Sequence, residues 1–328
     1  MRSSNFKNGS FQNKTKTPDL TEGASYFMVL KEFLFKKQLR AKPGSIVPSV
    51  KTNLHALPPA ENVLVWFGHS SYFIQVDGIR ILVDPVLGNN ASPVSFTTKS
   101  FKGSNAYTPE DMPAIDYLFI THDHWDHLDY STLLQIQPRV KKLVCGLGVG
   151  QHLERWGFHP DQIIEKDWYD HELLEPGFRM DALPARHFSG RGLKRNNTLW
   201  MSYALSTPSM KIYIGGDSGY DSHFKAIGDA YGPFDLAILE CGQYDRNWKY
   251  IHMMPAEVVT AAQDLRAKKL MPVHWGKFGL ANHDWDDPIL QVVECALENN
   301  MPLCTPMIGE PLKLDSEQQF NAWWKLVT

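Results

Sequence analysis

Cysteine is scarce in this sequence, and the few cysteines form no recognisable pattern. The 328 residues include four, at positions 145, 241, 295 and 304, and no two of them have the C-x-x-C spacing. The spacing therefore argues against a disulfide framework of the kind that holds small secreted domains together. We interpret the four as reduced thiols packed in the core of a protein from a reducing compartment.

An excess of one charge is also missing, as are long hydrophobic runs. Lys and Arg number 33 against 36 Asp and Glu, a net charge of −3, so the sequence lacks the basic excess typical of nucleic-acid binding. No segment approaches the roughly 18 consecutive apolar residues of a membrane-spanning helix. Residues 1–20 are polar and contain no apolar run of a secretory signal. These absences predict a cytoplasmic protein without a nucleic-acid partner.

The beginning of the sequence differs from the rest, and we divide the chain into an N-terminal arm at 1–45 and a main domain at 46–328. Residues 1–25 are polar and aperiodic, which predicts a flexible segment. Residues 26–38 carry an apolar stripe at helical spacing, with lysines nearby. Two interpretations stay open: a helix packed on the main domain, or an amphipathic segment in peripheral contact with a membrane surface. The stripe consists of Phe27, Leu30, Phe33 and Leu34.

From residue 61 onward, short β-type runs dominate. The runs at 62–67, 72–76 and 79–83 predict consecutive antiparallel strands, with Asp77-Gly78 as the hairpin turn between the last two. Runs of strands interrupted by a few helices indicate an α/β (α+β) sandwich, not an alternating βαβ array. Later elements are predicted as a helix at 255–267, a strand at 270–273 and a helix at 287–298.

Histidine is concentrated in one short run directly after the apolar strand predicted at 117–120. His122 and His124 are two positions apart, so a turn can aim both side chains at one point. Asp126 and His127 are adjacent and can face a second point nearby. Imidazole suits zinc and other first-row metals, and a carboxylate adds a hard anionic ligand. The run therefore predicts a metal site on a loop at the end of a strand.

The His-x-His-x-Asp-His pattern resembles the metallo-β-lactamase superfamily of dinuclear hydrolases. The resemblance leads us to expect a further His, then an Asp, then a last His, each at the end of its own strand. His187, Asp217 and His274 stand in that order. Other motifs are similar to the branch that contains N-acylphosphatidylethanolamine-hydrolysing phospholipase D and, more distantly, to ascorbate-6-phosphate lactonase. These motifs are Trp66–Ser71, Leu82–Pro85, Gly216–Tyr220, Gly232–Ala237 and His274–Phe278.

The resemblance implies a four-layer αβ/βα sandwich with two divalent transition metals at one edge, between two sheets. Zinc is the metal expected, and nothing in the sequence excludes manganese or iron. The resemblance assigns His122, His124 and His187 to the first metal, Asp126, His127 and His274 to the second, and Asp217 to a bridging position between them.

The same resemblance implies a reaction. A hydroxide bridging the two metals is the expected nucleophile, and Asp126 is expected to orient it. The phospholipase branch places a His near the catalytic water, and His252 in Tyr250-Ile-His252-Met-Met matches it. His252 is expected to bind the phosphate or to protonate the leaving oxygen, with helix capping as the alternative. His69 is expected to support the site from behind.

The substrate implied is a phospholipid of the N-acylphosphatidylethanolamine type or a small phosphodiester, with a lactone or other small phosphorylated or acyl substrate as the alternative. A di-iron redox protein of this superfamily would carry a flavin-binding domain and more carboxylate ligands, and the sequence has neither. Arg186 and Arg191 are expected either to meet a phosphate or to be solvated. The residues expected to contact substrate are His283, Trp248 and Met253.

Overall fold

Two β-sheets that share one apolar core form the centre of the molecule in the computed structural model, which describes residues 3–35, 40–94, 96–192 and 194–327. The strands are β1 Phe6–Lys7, β2 Ser10–Phe11, β3 Val63–Trp66, β4 Tyr72–Val76, β5 Ile79–Val83, β6 Ile115–Phe119, β7 Val140–Gly146, β8 Ile163–Lys166, β9 His171–Glu175, β10 Phe178–Leu183, β11 Ser202–Ser206, β12 Lys211–Ile214, β13 Leu236–Glu240, β14 Leu270–Val273 and β15 Pro311–Lys313. The helices are α1 Tyr26–Phe35, α2 Tyr130–Ile136, α3 Gly150–Arg155, α4 His223–Tyr231, α5 Pro255–Asp264 and α6 Asp287–Glu298.

The first sheet has the strand order β15-β3-β4-β5-β6-β7-β8 and the second has the order β14-β13-β12-β11-β10-β9. In the first sheet β5 to β8 run parallel, and in the second β12, β13 and β14 do. The predicted hairpin joins β4 to β5 with Val76 opposite Ile79. Asp77 and Gly78 take φ values of 47° and 81°, the left-handed conformation that this two-residue turn requires.

Side-chain alternation along the strands separates the core into layers. In β3, Leu64 and Trp66 face the second sheet, whereas Val63 and Val65 face the opposite side. The helices α2 and α3 cover that opposite side, and α5 packs against β13 on the outside of the second sheet. The predicted four-layer αβ/βα sandwich is confirmed, since helices cover both outer faces of two stacked sheets.

The N-terminal arm lies along the surface of this sandwich. The backbone N–H of Phe11 donates to the carbonyl oxygen of Asn196 at 2.8 Å, and that of Thr21 donates to Asn247 at 2.8 Å. Helix α1 follows, with Phe27 and Leu30 exposed by 75% and 55%. The predicted continuation of this helix to residue 38, and the side chains of Phe33 and Leu34, lie outside the described part of the chain. None of the described helices is long and apolar enough to cross a bilayer.

Candidate metal centre

The predicted ligands converge because each follows the carboxyl end of a neighbouring strand. The loop from His122 to His127 comes after β6 in the first sheet. His187 follows β10, Asp217 follows β12 and His274 follows β14, all in the second sheet. Since the two sheets are stacked, their strand ends meet at one edge of the sandwich, and the structure brings together every residue predicted as a ligand.

Three imidazoles form one half of the cluster. His122 Nε2 lies 2.9 Å from His124 Nδ1, and His187 Nε2 lies 3.2 Å from the same atom. Zinc–nitrogen bonds of about 2.0–2.1 Å in tetrahedral geometry place ligand nitrogens roughly 3.3 Å apart. The three nitrogens therefore have the spacing needed to surround one metal ion.

A second group of side chains forms the other half. Asp126 Oδ2 lies 3.5 Å from His127 Nε2 and 3.3 Å from His274 Nε2. Asp217 Oδ2 lies 3.2 Å from His127 Nε2 and 3.3 Å from His274 Nε2, and it lies 3.8 Å from Nε2 of both His122 and His187. One carboxylate oxygen therefore faces both halves of the cluster.

The chemistry of these donors fits a metal centre. Asp217 Oδ1 is buried and has no hydrogen-bond partner among the described residues. Imidazole and carboxylate together suit zinc and other first-row divalent ions, and such an ion satisfies a carboxylate oxygen that would otherwise be costly to bury. The cluster can thus hold metal.

Asp84, in the Leu82–Pro85 motif, fixes one ligand from behind. Its Oδ2 accepts the Nδ1–H of His127 at 2.8 Å and the hydroxyl of Thr121 at 2.6 Å, and its Oδ1 accepts the backbone N–H of Thr121 at 2.8 Å. With one proton held on Nδ1 by Asp84, His127 would present Nε2 to a bound metal ion. No role was predicted for Asp84, although a carboxylate at the end of a buried strand is itself a signal.

Other ligands have partners of the same kind. His187 Nδ1 lies 2.9 Å from the carbonyl oxygen of Ile251, and His122 Nδ1 lies 3.0 Å from Thr121 Oγ1. His69 Nε2 lies 2.8 Å from Asp126 Oδ2, the contact expected of a supporting residue. The contacts of His187 and His122 occupy Nδ1 and leave Nε2 directed at the centre, whereas Asp126 uses the same oxygen toward His69 and toward the cluster.

Glu240 is a buried carboxylate behind the centre, 1% exposed, at the end of β13. Its Oε1 accepts the backbone N–H of Met253 at 2.8 Å. Its Oε2 lies 3.4 Å from His252 Nδ1 and 3.7 Å from His274 Nδ1. The His252 ring stacks on that of His274 at 5.3 Å, so Glu240 stands behind a ligand and behind the predicted catalytic histidine.

The titratable groups of the centre shift one another. Although burial alone would lower both values, Asp217 and Asp126 raise the pKa of His127 well above its usual value and that of His274 to about 10. Burial lowers the pKa of His122 and of His187 well below the usual value, so both are neutral ligands. Burial alone would raise the pKa of Asp217, but His127 and His274 outweigh it and hold that pKa well below its usual value. The pKa of Asp126 is also held well below its usual value, since His127 and other imidazoles outweigh its burial. Both carboxylates are therefore ionised.

A cavity of about 300 Å³ opens onto the cluster and has largely apolar walls. Trp248 lies on its wall, as predicted for a substrate contact, and His252 lies beside the ligands. The N-terminal arm contributes part of the rim, a contact that no pattern in the sequence predicts. The wall and rim residues include Phe188, Trp248, Ile251 and Leu280 from the main domain and Leu20, Tyr26 and Val29 from the arm.

Two predicted substrate contacts are not among the described residues that line this cavity. Met253 is buried at 1% exposure, because its side chain packs into the core while its N–H bonds Glu240. His283 lies in an adjoining cleft, where its Nε2 accepts the backbone N–H of Gln243 at 2.8 Å and its ring stacks on Tyr244. Both side chains are taken up by contacts within the protein.

The arginines near His187 are held by contacts within the protein and are not simply solvated, and their predicted contact with a phosphate stays a prediction. Arg191 donates to the carbonyl oxygens of Asp123 at 3.0 Å and Leu128 at 2.6 Å, and its guanidinium lies 3.8 Å from the centre of the Trp125 ring. It therefore braces the loop that carries the histidine run. Arg186 donates to Thr17 Oγ1 at 3.0 Å and so holds the N-terminal arm.

A four-layer αβ/βα sandwich with clustered histidines and aspartates at its strand ends defines a class of metal-dependent hydrolases. The family model described as the β-lactamase superfamily domain matches residues 79–275. The chain belongs to this family, the metallo-β-lactamase superfamily.

Relatives and solved structures agree with this assignment. The chain is 34% identical over 330 residues to an uncharacterized protein of Mycobacterium tuberculosis, covering 99% of this chain and 88% of the relative. It is 31% identical over 282 residues to N-acyl-phosphatidylethanolamine-hydrolyzing phospholipase D 1 of Caenorhabditis elegans, covering 77% of this chain and 78% of the relative. Igni18, a metallo hydrolase of Ignicoccus hospitalis, has the same fold, with a TM-score of 0.59, 22% identity and coverage of 77% of this chain and 98% of that chain.

Proposed function

We propose that this hydrolase holds two divalent metal ions and cleaves a phosphodiester, with a phospholipid of the N-acylphosphatidylethanolamine type as its substrate. The observation that carries the proposal is the position of Asp217 Oδ2, which lies within 3.2–3.8 Å of four imidazole nitrogens from both halves of the cluster. An oxygen so placed suits a bridge between two ions. Two adjacent ions stabilise both the attacking and the leaving oxygen of an in-line displacement at phosphorus.

In this proposal, each half of the cluster supplies the ligands of one metal ion. Asp217 stands between the halves, and zinc is the ion that this donor set favours, with manganese or iron as alternatives. When bound, the two ions would lower the pKa of a water molecule and polarise the phosphoryl oxygens. The first site consists of His122, His124 and His187, and the second of Asp126, His127 and His274.

Two side chains of this chain act on the reacting atoms in this proposal. Asp126 is ionised and its Oδ2 is fixed by His69, so it can orient the attacking water. His252 has Nδ1 toward Glu240, which leaves Nε2 free to face the cavity and to donate a proton to the leaving oxygen. Water attacks phosphorus, the bond from phosphorus to the headgroup oxygen breaks, and phosphatidic acid and an N-acylethanolamine are released.

The cavity supports a lipid substrate over a small polar one. Apolar side chains that include Phe188, Ile251 and Leu280 line it next to the ligands, and such walls suit acyl chains. Exposed Phe27 and Leu30 lie on the arm that forms the rim, so peripheral contact with a bilayer is part of the proposal. A cytoplasmic location, the lack of a nucleic-acid partner, and the division into an arm and a hydrolase domain stay predictions.

The test is a substrate panel with product analysis. The protein, purified without chelator, is incubated with vesicles of N-acylphosphatidylethanolamine, with phosphatidylcholine vesicles, with bis(p-nitrophenyl) phosphate and with lactones. We expect phosphatidic acid and N-acylethanolamine by mass spectrometry, and loss of both products in Asp217→Asn but not in Asp116→Asn, which alters a carboxylate distant from the centre. Hydrolysis of lactones without hydrolysis of any phosphodiester would establish the alternative lactonase function.

A further inference from the structure

We propose that Asn13, in the N-terminal arm, is a positioning residue that holds the metal ligand His187 in place. The proposal rests on the dinuclear centre proposed above and assigns to the arm a role at the metal centre, which the sequence did not predict. It concerns the stability of one metal site, and so it can be tested without a substrate.

The carboxamide of Asn13 makes three hydrogen bonds at the centre. Its Nδ2 donates to the carbonyl oxygen of His187 at 2.7 Å. Its Oδ1 accepts the backbone N–H of His187 at 3.2 Å and the indole N–H of Trp200 at 3.1 Å. One side chain from 174 positions away thus pairs with both backbone polar groups of a metal ligand.

His187 needs such a partner because of where its strand stops. Strand β10 ends at Leu183, so the backbone of His187 lies beyond the ladder that would otherwise fix it. The carboxamide has the donor and acceptor arrangement of a peptide group, and it pairs with His187 as an adjacent strand would. For comparison, the backbone N–H of His274 is held by the carbonyl oxygen of His69 at 3.0 Å.

The arm is anchored on both sides of Asn13, so the carboxamide is held before any metal binds. On one side the backbone N–H of Phe11 donates to Asn196 at 2.8 Å. On the other side Arg186 donates to Thr17 Oγ1 at 3.0 Å and to the carbonyl oxygen of Lys16 at 3.2 Å. Because Arg186 directly precedes His187, the arm and the ligand segment are joined by two independent sets of contacts.

Loss of the Asn13 side chain should weaken the binding of only one of the two ions. Loss of the Asn13 carboxamide frees the backbone of His187, a ligand of the first site, but leaves Asp126, His127 and His274 untouched. Outer partners of metal ligands typically contribute about 10–100-fold in metal affinity. We therefore expect Asn13→Ala to release one of its two ions about 10–100-fold faster than the unsubstituted protein, and the other ion at an unchanged rate.

The experiment follows metal release from the loaded protein to an excess of a chromophoric chelator. His187→Ala and His274→Ala identify which kinetic phase belongs to which site. Gln12→Ala is the matched control, since the Gln12 side chain is exposed and donates to Ser10 within the arm. Asn13→Asp keeps the acceptor for the His187 N–H but loses the donor to its carbonyl, and we expect it to speed the same phase. Replacement of the metal by Co²⁺ should show a changed ligand-field spectrum in both Asn13 variants.

Three results separate the proposals. Faster release in the His187 phase alone, with Gln12→Ala unchanged, supports the positioning role. Equal acceleration of both phases, or no acceleration in either Asn13 variant, overturns it and leaves the dinuclear centre standing. An unsubstituted protein that binds no metal overturns the proposed function itself.

Discussion

Replacement of Asp84 by Asn changes one oxygen to an amide nitrogen at a buried position where every acceptor is in use. Asp84 Oδ2 serves His127 and the Thr121 hydroxyl, and Oδ1 serves the Thr121 backbone N–H. If the new NH₂ takes the place of Oδ1, it opposes the Thr121 N–H, and two donors face each other. If it takes the place of Oδ2, it opposes the Nδ1–H of His127, whose proton must then move to Nε2, the nitrogen that faces the centre.

The size of the expected effect can be estimated for each of the two orientations of the new amide. A buried donor without an acceptor costs about 1–3 kcal/mol. Removal of an outer partner of a metal ligand weakens metal binding about 10–100-fold, equivalent to about 1.4–2.7 kcal/mol. The first range is a cost to folding stability, and the second is a cost to metal affinity. The affinity loss falls chiefly on the second site, because Asp84 bonds His127 directly and reaches the first-site ligand His122 only through Thr121.

Competition with a chelator of known affinity measures this loss. We expect Asp84→Asn to bind one ion about 10–100-fold more weakly and to hold the other with a smaller loss of affinity. Asp116→Asn is the matched control, because Asp116 accepts the backbone N–H of Arg80 at 2.9 Å on the neighbouring strand, away from the centre. Two ions bound at unchanged affinity in Asp84→Asn would disprove the supporting role of Asp84, and so would an equal loss in the control.

Four further outcomes are expected. Asp217→Ala should lose more metal and more turnover than alanine at any other ligand, since its Oδ2 faces both halves of the centre; elemental analysis across the ligand series checks this. His252→Ala should keep both ions and slow cleavage about 10²–10⁴-fold for poor leaving groups, and less for nitrophenolate, which needs no proton. Glu240→Gln should show the same leaving-group dependence with a smaller loss of about 10–100-fold, because it acts through His252; a loss equal for both leaving groups contradicts this. Burial lowers the pKa of His223 from 6.5 to about 4. As the pH falls from 6.5 to 4, the unfolded chain binds a proton that the folded chain does not, so the free energy of unfolding decreases by about 3 kcal/mol. Urea unfolding at several pH values should show that His223→Gln lacks this pH dependence.

The parts of the site that could be predicted are those in which local pattern and function coincide. The run from His122 to His127 places ligands within six residues after one strand. His187 and Asp217 were identifiable because each follows a strand in the expected order. The Asp77-Gly78 turn could be predicted because its conformation depends on those two residues themselves.

The parts that were missed depend on how distant segments pack. Asp84 and His127 are 43 positions apart, and Asn13 and His187 are 174 apart, so neither pair leaves a pattern in one sequence. Met253 was expected in the cavity because it is an apolar residue close to the site motifs in sequence, yet its side chain turns into the core. The contacts of Arg191 with two loop carbonyl oxygens and with the Trp125 ring likewise depend on how the loop folds in three dimensions.

We propose above that two bound metal ions make this chain a phosphodiesterase. One experiment measures metal content and hydrolysis of N-acylphosphatidylethanolamine on the same preparation, during stepwise removal of metal by chelator and its return as zinc. We expect two ions per chain at saturation, loss of phosphatidic acid formation as they leave, and recovery as both return. Full phosphodiester hydrolysis by metal-free protein, or saturation at a single ion with full activity, would contradict it.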